Sequence, residues 1–136
     1  MKTKKGNIFN TNCQTIVNTI NCVGVMGAGI AYEFRLLFPE LFEKYVNYCK
    51  ENMIKVGTLW IYKIDKAKLN SQIKFEWILN FPTKNHWKYP TKTMYLEKGL
   101  QKFLDTYKDK GIKSIAFPLL GASHGGLTTD ISFEIM

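Results

Sequence analysis

The feature that most constrains this chain is a glycine-rich turn placed between an apolar strand and a helix. Residues 14–20 are β-branched and apolar, as expected of a buried strand. Glycines at positions 24, 27 and 29 follow with the spacing G-x-x-G-x-G, and residues 29–38 are predicted to form a helix. A strand, a tight turn and a helix in succession predict an α/β fold, in which ligands bind beyond the carboxyl ends of the strands.

The rest of the sequence continues this alternation of strands and helices. Pro39 cannot extend the first helix but suits the first turn of a second one, which runs to Lys50. A long third helix is expected between a cap at Thr91 and a stop at Gly111, and a last helix begins at Asp130. The apolar stripe of the third helix consists of Leu96, Leu100, Phe103, Leu104 and Tyr107. Further strands are predicted over residues 2–5, 58–64, 74–81 and 114–119.

Composition indicates one domain of ordinary globular type. The 136 residues are 46% hydrophobic and 22% charged, and no apolar run reaches the length of about 18 residues that a transmembrane helix needs. The N-terminus leads into no secretory signal, so we expect a cytoplasmic protein with no membrane association. Three cysteines without a CxxC pair and two histidines give no credible zinc site, and we expect no cofactor. A mixed sheet with helices on both faces is the expected architecture.

The net charge of +8 comes almost entirely from lysine. A basic surface attracts polyanions by counterion release, although solubility and a lysine-rich composition explain the charge equally well. One short segment alternates basic and aromatic residues: Lys84, His86, Trp87, Lys88, Tyr89 and Lys92. Because such a mixture suits a phosphate backbone and a stacked base, we predict contacts to a nucleic acid from His86, Trp87, Lys88 and Lys92, with packing in the core as the alternative for Trp87.

Three segments follow predicted strands and are expected at one edge of the sheet. The glycine turn can bring backbone N–H groups close to a phosphate or ribose, although its glycine order is neither that of a dinucleotide-binding fold nor that of a P-loop. Residues 120–126 have small side chains and three glycines and can wrap a diphosphate with main-chain donors. Either segment alone is equally consistent with a plain connection. Together they favour a nucleotide diphosphate as the ligand.

Lys84 lies in the third segment and is the candidate for catalysis. It follows Asn80-Phe81-Pro82-Thr83, where the strand leaves the core, so its amine is expected to be partly desolvated. Such an amine can act as a nucleophile or base, whereas the alternative is a surface lysine. His86 can orient a substrate, serve as an acid or base, or be an ordinary polar residue. The predicted loops contain no Asp or Glu, so the paired carboxylates of ordinary glycosidases are missing. Cys22 has no basic neighbour in sequence and is expected to be inert.

These motifs resemble those of a macrodomain. The resemblance covers residues 6–9, 18–31, 38–40, 80–87, 118–121 and 125–127, which span nearly the whole chain. Its most specific part is the string Asn-Phe-Pro-Thr-Lys-x-His-Trp, and the chain is most similar to the branch that contains DNA ADP-ribosyl glycohydrolase antitoxins and the terminal ADP-ribose protein glycohydrolase. The resemblance implies a three-layer α/β/α sandwich, with residues 1–136 as a single macrodomain that stops inside its last helix.

The resemblance also implies the roles of individual residues. ADP-ribose would be bound by Asn7, Ile8, Asn21, Met26, Gly27, Gly29, Ile30, Thr83, Pro118, Leu120, Gly121, Ala122, Ser123, His124 and Gly125. Lys84 matches the catalytic lysine, whose amine attacks the anomeric carbon of the distal ribose. Protein-directed relatives carry an aspartate in the last loop. This chain has none there, which favours the DNA-directed branch.

The implied function is removal of ADP-ribose from a nucleobase in DNA by a monomeric bacterial or phage antitoxin. Its partners would be single-stranded DNA and a cognate ADP-ribosyltransferase toxin. Three alternatives remain at this stage. They are a non-catalytic reader of ADP-ribose, a hydrolase of ADP-ribosylated protein or O-acetyl-ADP-ribose, and a phosphate-binding α/β domain without preference for ADP-ribose.

Overall fold

The computed structural model describes residues 2–5, 9, 11–27, 29–65, 73–86, 93–118 and 129–134. In chain order its elements are β1 (Lys2–Lys5), β2 (Thr15–Asn21), α1 (Gly29–Leu37), α2 (Pro39–Lys50), β3 (Trp60–Lys63), β4 (Trp77–Lys84), α3 (Thr93–Lys110), β5 (Ser114–Phe117) and β6 (Thr129–Glu134). Within these described residues, six strands form one sheet in the order β1-β6-β5-β2-β4-β3. In the part of the chain described, no helix is long and apolar enough to cross a membrane.

The sheet is mixed, as the sequence predicted. β2 lies between β4 and β5 and runs parallel to both. β3 pairs antiparallel with β4, and β6 pairs antiparallel with both β5 and β1. Because β2, β4 and β5 run in the same direction, their carboxyl ends lie at one edge of the sheet, where α/β folds bind ligands.

Helices cover both faces of the sheet, because alternate residues of the central strands enter different apolar clusters. Ile16 packs with Phe34 of α1 and Leu41 of α2. Its neighbour Val17 packs on the other face with Phe103 of α3. Successive side chains of a strand point to opposite faces, so α1 and α2 cover one side and α3 the other. This arrangement confirms the predicted three-layer α/β/α architecture.

The face of α3 that contacts the sheet differs from the predicted stripe. Phe103 is buried and Gly99 lies against the Phe81 ring, so closely that a Cβ on Gly99 would overlap the ring. Leu100 and Leu104 are 38% and 62% exposed, so their assignment to the buried stripe is wrong. Leu100 comes one residue after Gly99, and Leu104 comes one residue after Phe103. Each leucine therefore lies about 100° around the helix from the residue that contacts the sheet.

The ends of the helices follow the sequence signals. Gly111 has φ +80°, its N–H donates to the Lys108 carbonyl, and the N–H of Ile112 donates to the Tyr107 carbonyl. These two bonds form a Schellman motif, which confirms the predicted stop of the third helix. Pro39 is the first residue of α2, as expected of a residue that cannot donate an N–H. The predicted cap at Thr91 lies outside the described residues.

The prediction of a last helix from Asp130 is wrong. Residues Thr129–Glu134 form β6, which lies between β1 and β5. In the sequence, Thr129, Ile131 and Phe133 alternate with polar residues, which is the period of two typical of a strand. This segment therefore pairs with two strands instead of starting a helix.

The predicted end of the fourth strand at Phe81 is also wrong, because β4 continues through Pro82 to Lys84. Two features accommodate a proline inside this strand. The antiparallel pairing with β3 ends at Asn80, and the register with β2 shifts between Ile20 and Asn21. Lys84 is therefore the last residue of a strand rather than part of a loop. The predicted start of this strand at Lys74 lies three residues before Trp77, and the remaining predicted boundaries within the described residues agree with the structure to within about two residues.

Candidate functional site

The candidate site lies where β2 and β4 end side by side. In the parallel register Asn21 is opposite Lys84, the last residue of each strand. One residue further on, the Cys22 N–H donates to the Asn85 carbonyl at 3.3 Å. The structure thus brings the glycine turn and the lysine together, as the sequence predicted for segments that follow parallel strands.

Lys84 owes its position to the irregular pairing of β4. Ile20 is opposite Pro82, whereas Asn21 is opposite Lys84, so Thr83 is the extra residue of a bulge. The bulge shifts the strand by one residue and places Lys84, rather than Thr83, beside Asn21. Thr83 is buried and Lys84 is half-buried. The lysine therefore lies at the boundary between core and solvent, as expected from the sequence.

The side chain of Asn21 organises the glycine turn. Its Oδ1 accepts from the backbone N–H groups of Val23 and Val25 at 3.1 and 3.3 Å, and its Nδ2 donates to the Val25 carbonyl at 2.7 Å. Asparagine favours such turns because its short amide can replace backbone partners. The role of Asn21 in contacting ribose stays a prediction; what the structure shows is an amide already engaged in holding the turn.

Two glycines give the turn its shape. Gly24 and Gly29 have φ of +85° and +61°, a left-handed conformation that favours glycine. Gly24 also lies against α2, since a Cβ on it would be 3.9 Å from the Val46 Cα and 3.8 Å from the Cys49 Cβ. Gly27 and Gly29 are exposed and leave the backbone accessible to a ligand.

Met26 and Ile30 contribute to the core as well as to the candidate site. Met26 is fully buried and packs with Ile20 and Tyr45. Its predicted role in binding ADP-ribose is therefore limited to its backbone, because the side chain is enclosed by the core. Ile30 is half-buried and packs at the margin of the cluster that contains Phe34.

Three weakly acidic groups lie beneath the turn and stay protonated at neutral pH. Burial, with a smaller contribution from nearby Cys49, raises the pKa of the Cys22 thiol to about 11. Burial likewise raises the pKa of the Cys49 thiol and of the Tyr45 hydroxyl. A protonated thiol is a poor nucleophile, in agreement with the expectation that Cys22 is inert. Among the described residues, no group of three His, Cys, Asp or Glu side chains could hold a metal ion.

The structure describes part of the predicted site. Pro118 directly follows β5 and His86 lies two residues beyond β4, so both are at the edge that carries Lys84. The predictions for Asn7, Ile8, Leu120, Gly121, Ala122, Ser123, His124, Gly125, Trp87, Lys88 and Lys92 concern residues outside the described ones, and they stay predictions.

Sequence reasoning assigned Tyr45 only to the apolar face of α2. The structure shows that its hydroxyl also contacts the turn, donating to Asn21 at 2.7 Å. The signal was present in the sequence, because a buried tyrosine needs a hydrogen-bond partner. The sequence did not indicate which partner that would be.

Similar proteins are named as DNA ADP-ribosyl glycohydrolases. One from Thermus aquaticus is 37% identical over 123 residues, which are 90% of this chain and 33% of that protein. A DNA ADP-ribosyl transferase-DNA ADP-ribosyl glycohydrolase fusion protein from Thermosipho africanus is 34% identical over 142 residues, covering 97% of this chain and 37% of the fusion. The chain thus spans about a third of the length of the curated relatives that it matches.

Solved structures give the same result. The macrodomain of Mycobacterium tuberculosis DarG superposes with a TM-score of 0.79 at 37% identity, covering 91% of this chain and 78% of that one. Thermosipho africanus DarTG in complex with ADP-ribose also gives a TM-score of 0.79, at 36% identity and with coverage of 90% and 34%. The family model for the Macro domain matches residues 17–136, and this chain therefore belongs to the macrodomain family.

Proposed function

We propose that this macrodomain binds ADP-ribose and removes it from a modified nucleobase in DNA, with Lys84 as the catalytic residue. The observation that carries the proposal is the pairing of Asn21 with Lys84 across the ends of β2 and β4. This pairing sets a reactive amine beside a glycine turn that can approach a ribose or phosphate. The names of the relatives support DNA as the substrate, and the ADP-ribose complex of the Thermosipho protein supports the ligand.

The two sides of the site have different tasks. The turn that Asn21 holds exposes backbone at Gly27 and Gly29, where a ligand can approach without a side chain in between. The end of β4 provides the amine. No carboxylate lies within residues 21–31 or 80–87, so the mechanism that uses two carboxylates has no candidates in these segments.

A lysine offers another route to the same bond. The amine of Lys84 attacks the anomeric carbon of the distal ribose, the bond from that carbon to the nucleobase breaks, and the base leaves with a proton. Water then hydrolyses the lysine adduct, which frees ADP-ribose and restores the amine. Half-burial of Lys84 favours this chemistry, because an amine with fewer water contacts is a better nucleophile than a fully hydrated one.

The partners follow from the proposed substrate. We propose single-stranded DNA, recognised in part by the basic and aromatic residues of the segment that follows β4. The fusion of a transferase to a glycohydrolase in the Thermosipho relative supports a cognate ADP-ribosyltransferase. A monomeric macrodomain in the cytoplasm completes the proposal.

The test is release of ADP-ribose from ADP-ribosylated single-stranded DNA, linked through thymidine in one substrate and guanosine in another. We expect release by the wild type and none by Lys84→Ala. Lys84→Arg tests the amine separately from the charge, since arginine stays protonated and is a poor nucleophile. Lys108→Ala, on the exposed surface at the end of α3, is the matched control and should be as active as the wild type.

Each alternative function predicts a different result. Tight binding of ADP-ribose without release from any substrate would identify a reader. Release of ADP-ribose from ADP-ribosylated protein but not from DNA would identify protein as the substrate. For the DNA substrate, neutralising Lys88 and Lys92 should reduce turnover and weaken its dependence on salt. Unchanged turnover in that variant would show that Lys88 and Lys92 do not contribute to recognition of DNA.

A further inference from the structure

A buried hydroxyl lies beneath the glycine turn. Tyr45 of α2 is fully enclosed, and its hydroxyl oxygen is 2.7 Å from Asn21 Oδ1 and 2.8 Å from the Asn21 carbonyl oxygen. A tyrosine has a single hydroxyl hydrogen to donate, and both of these oxygen acceptors belong to Asn21. The Cys49 thiol is a further hydrogen-bond partner of the hydroxyl. Tyr45 thus connects the core of the α2 layer to the Asn21 side chain, which organises the turn.

Packing alone does not explain a tyrosine at this position. The ring lies among Ile20, Met26 and Ile54, where phenylalanine would fill the same space. Burying a hydroxyl costs free energy unless it forms a hydrogen bond. The bond to Asn21 offsets that cost, so the specific contribution of the hydroxyl lies in what it does to Asn21.

The hydroxyl helps to fix which way the Asn21 amide points. Three donors converge on Oδ1, namely the Tyr45 hydroxyl and the N–H groups of Val23 and Val25. If the amide turned by half a revolution, its NH₂ group would face two backbone donors. In the observed orientation Nδ2 donates to the Val25 carbonyl, and a turned amide would lose this bond as well.

The turn also packs against the helix that carries Tyr45. The glycine at position 24 approaches the Cα of Val46 and the Cβ of Cys49, one residue and one turn of helix after Tyr45. Burial raises the pKa of both Tyr45 and Cys49, so the hydroxyl keeps its proton at physiological pH. Side chain and backbone contacts with α2 thus hold the turn from the same side.

We propose that Tyr45 is a positioning residue, which locks the Asn21 amide and thereby shapes the glycine turn for its ligand before the ligand binds. The inference rests on the proposed function in one respect, which is that ADP-ribose is the ligand of the turn. A turn that is already formed loses less conformational entropy on binding, and this raises affinity. Tyr45 touches neither the ligand nor Lys84 in this role, so it should affect binding more than the chemical step.

Tyr45→Phe tests the proposal, because it removes the hydroxyl and keeps the ring. Tyr48→Phe is the matched control, because Tyr48 lies on the same helix and its ring packs on Trp60. Loss of one hydrogen bond predicts that Tyr45→Phe binds ADP-ribose about three- to tenfold more weakly and raises KM by a similar factor. We expect kcat within about twofold of wild type, and Tyr48→Phe should match the wild type in all three.

Amide hydrogen exchange, followed by NMR, gives a readout that needs no ligand. In Tyr45→Phe the backbone N–H groups of Val23 and Val25 should exchange faster, while those of β4 keep their protection. Unchanged exchange at both valines, or unchanged affinity in a variant that folds, would overturn the proposal. If the wild type binds no ADP-ribose, the proposed function fails on that result alone. Exchange at the two valines then decides separately whether Tyr45 shapes the turn.

Discussion

Two segments meet at the candidate site, and they are held in place in different ways. The turn after β2 is fixed by side-chain hydrogen bonds from Asn21 and Tyr45 and by the approach of Gly24 to α2. The end of β4 is fixed by strand pairing, a bulge, and the packing of Phe81 against α3. The first segment is thus held by the amide of Asn21 and by one neighbouring helix, α2, and the second by pairing with β2 and packing on α3. We therefore expect binding and catalysis to respond separately to mutation.

The largest expected effect separates the chemistry of Lys84 from binding. Lys84→Ala should lower kcat by about 10²- to 10⁴-fold, because the reacting group is lost. The affinity for ADP-ribose should stay within about threefold of wild type, because the turn does not depend on the amine. Single-turnover kinetics and calorimetry measure the two quantities. An equal loss of affinity and turnover would show that Lys84 binds the ligand rather than reacting with it.

Gly99→Ala should perturb the support of β4. Alanine favours helices over glycine by about 1 kcal/mol, so helix propensity alone predicts a more stable protein. We expect the opposite, a loss of about 1–3 kcal/mol in the free energy of unfolding, because the new methyl group would overlap the Phe81 ring. Urea denaturation measures the change. Leu104→Ala, on the exposed side of the same helix, should change stability by less than about 0.5 kcal/mol.

Asn21→Ala should perturb the other segment. Three donors would lose their common acceptor, and we expect ADP-ribose to bind about tenfold more weakly. The kcat for bound substrate should fall much less than in Lys84→Ala. Asn47→Ala on the exposed face of α2 is the control for a lost amide. If Asn21→Ala instead reduced kcat as strongly as Lys84→Ala, the separation into a binding side and a reacting side would be wrong.

The glycine turn and the end of β4 also differ in how well the sequence predicted them. The glycine turn was predictable, because the positive φ of Gly24 and the amide of Asn21 act on their immediate neighbours. The position of Lys84 in a strand was not, since it depends on a bulge against β2 and on the point where β3 stops pairing. A proline alone predicts an end to the strand, whereas the surrounding sheet decides whether the strand can tolerate it.

Two other differences have equally specific causes. The prediction of a helix from Asp130 overlooked a period of two in a short segment, where strand and helix are hard to distinguish. Gly99 appears unfavourable for a helix when the sequence is considered alone. Only the neighbouring Phe81 ring shows why a side chain is excluded there, and this contact joins residues that are adjacent in space but not in sequence.

The smallest expected effect is a pH dependence that belongs to the turn. Burial raises the pKa of the Cys22 thiol from 9.0 to about 11, so the folded protein keeps this proton to a higher pH than the unfolded chain does. The resulting stabilisation is complete below about pH 9 and is lost as the pH rises towards about 11. Thermal unfolding between pH 8 and 11 should therefore show a steeper decline for wild type than for Cys22→Ala. Cys49 and Tyr45 act in the same direction, so the variant should remove only part of the slope.

Cys13→Ala is the control, because Cys13 packs against the cluster that contains Phe34 rather than beneath the turn. It should follow the wild-type slope. Equal slopes for all three proteins would mean that the Cys22 thiol is hydrated in solution, and the turn would then be less closely packed on α2 than the position of Gly24 indicates. If only the two proteins that keep Cys22 show the steeper loss of stability with pH, the Cys22 thiol is buried and protonated in the folded protein.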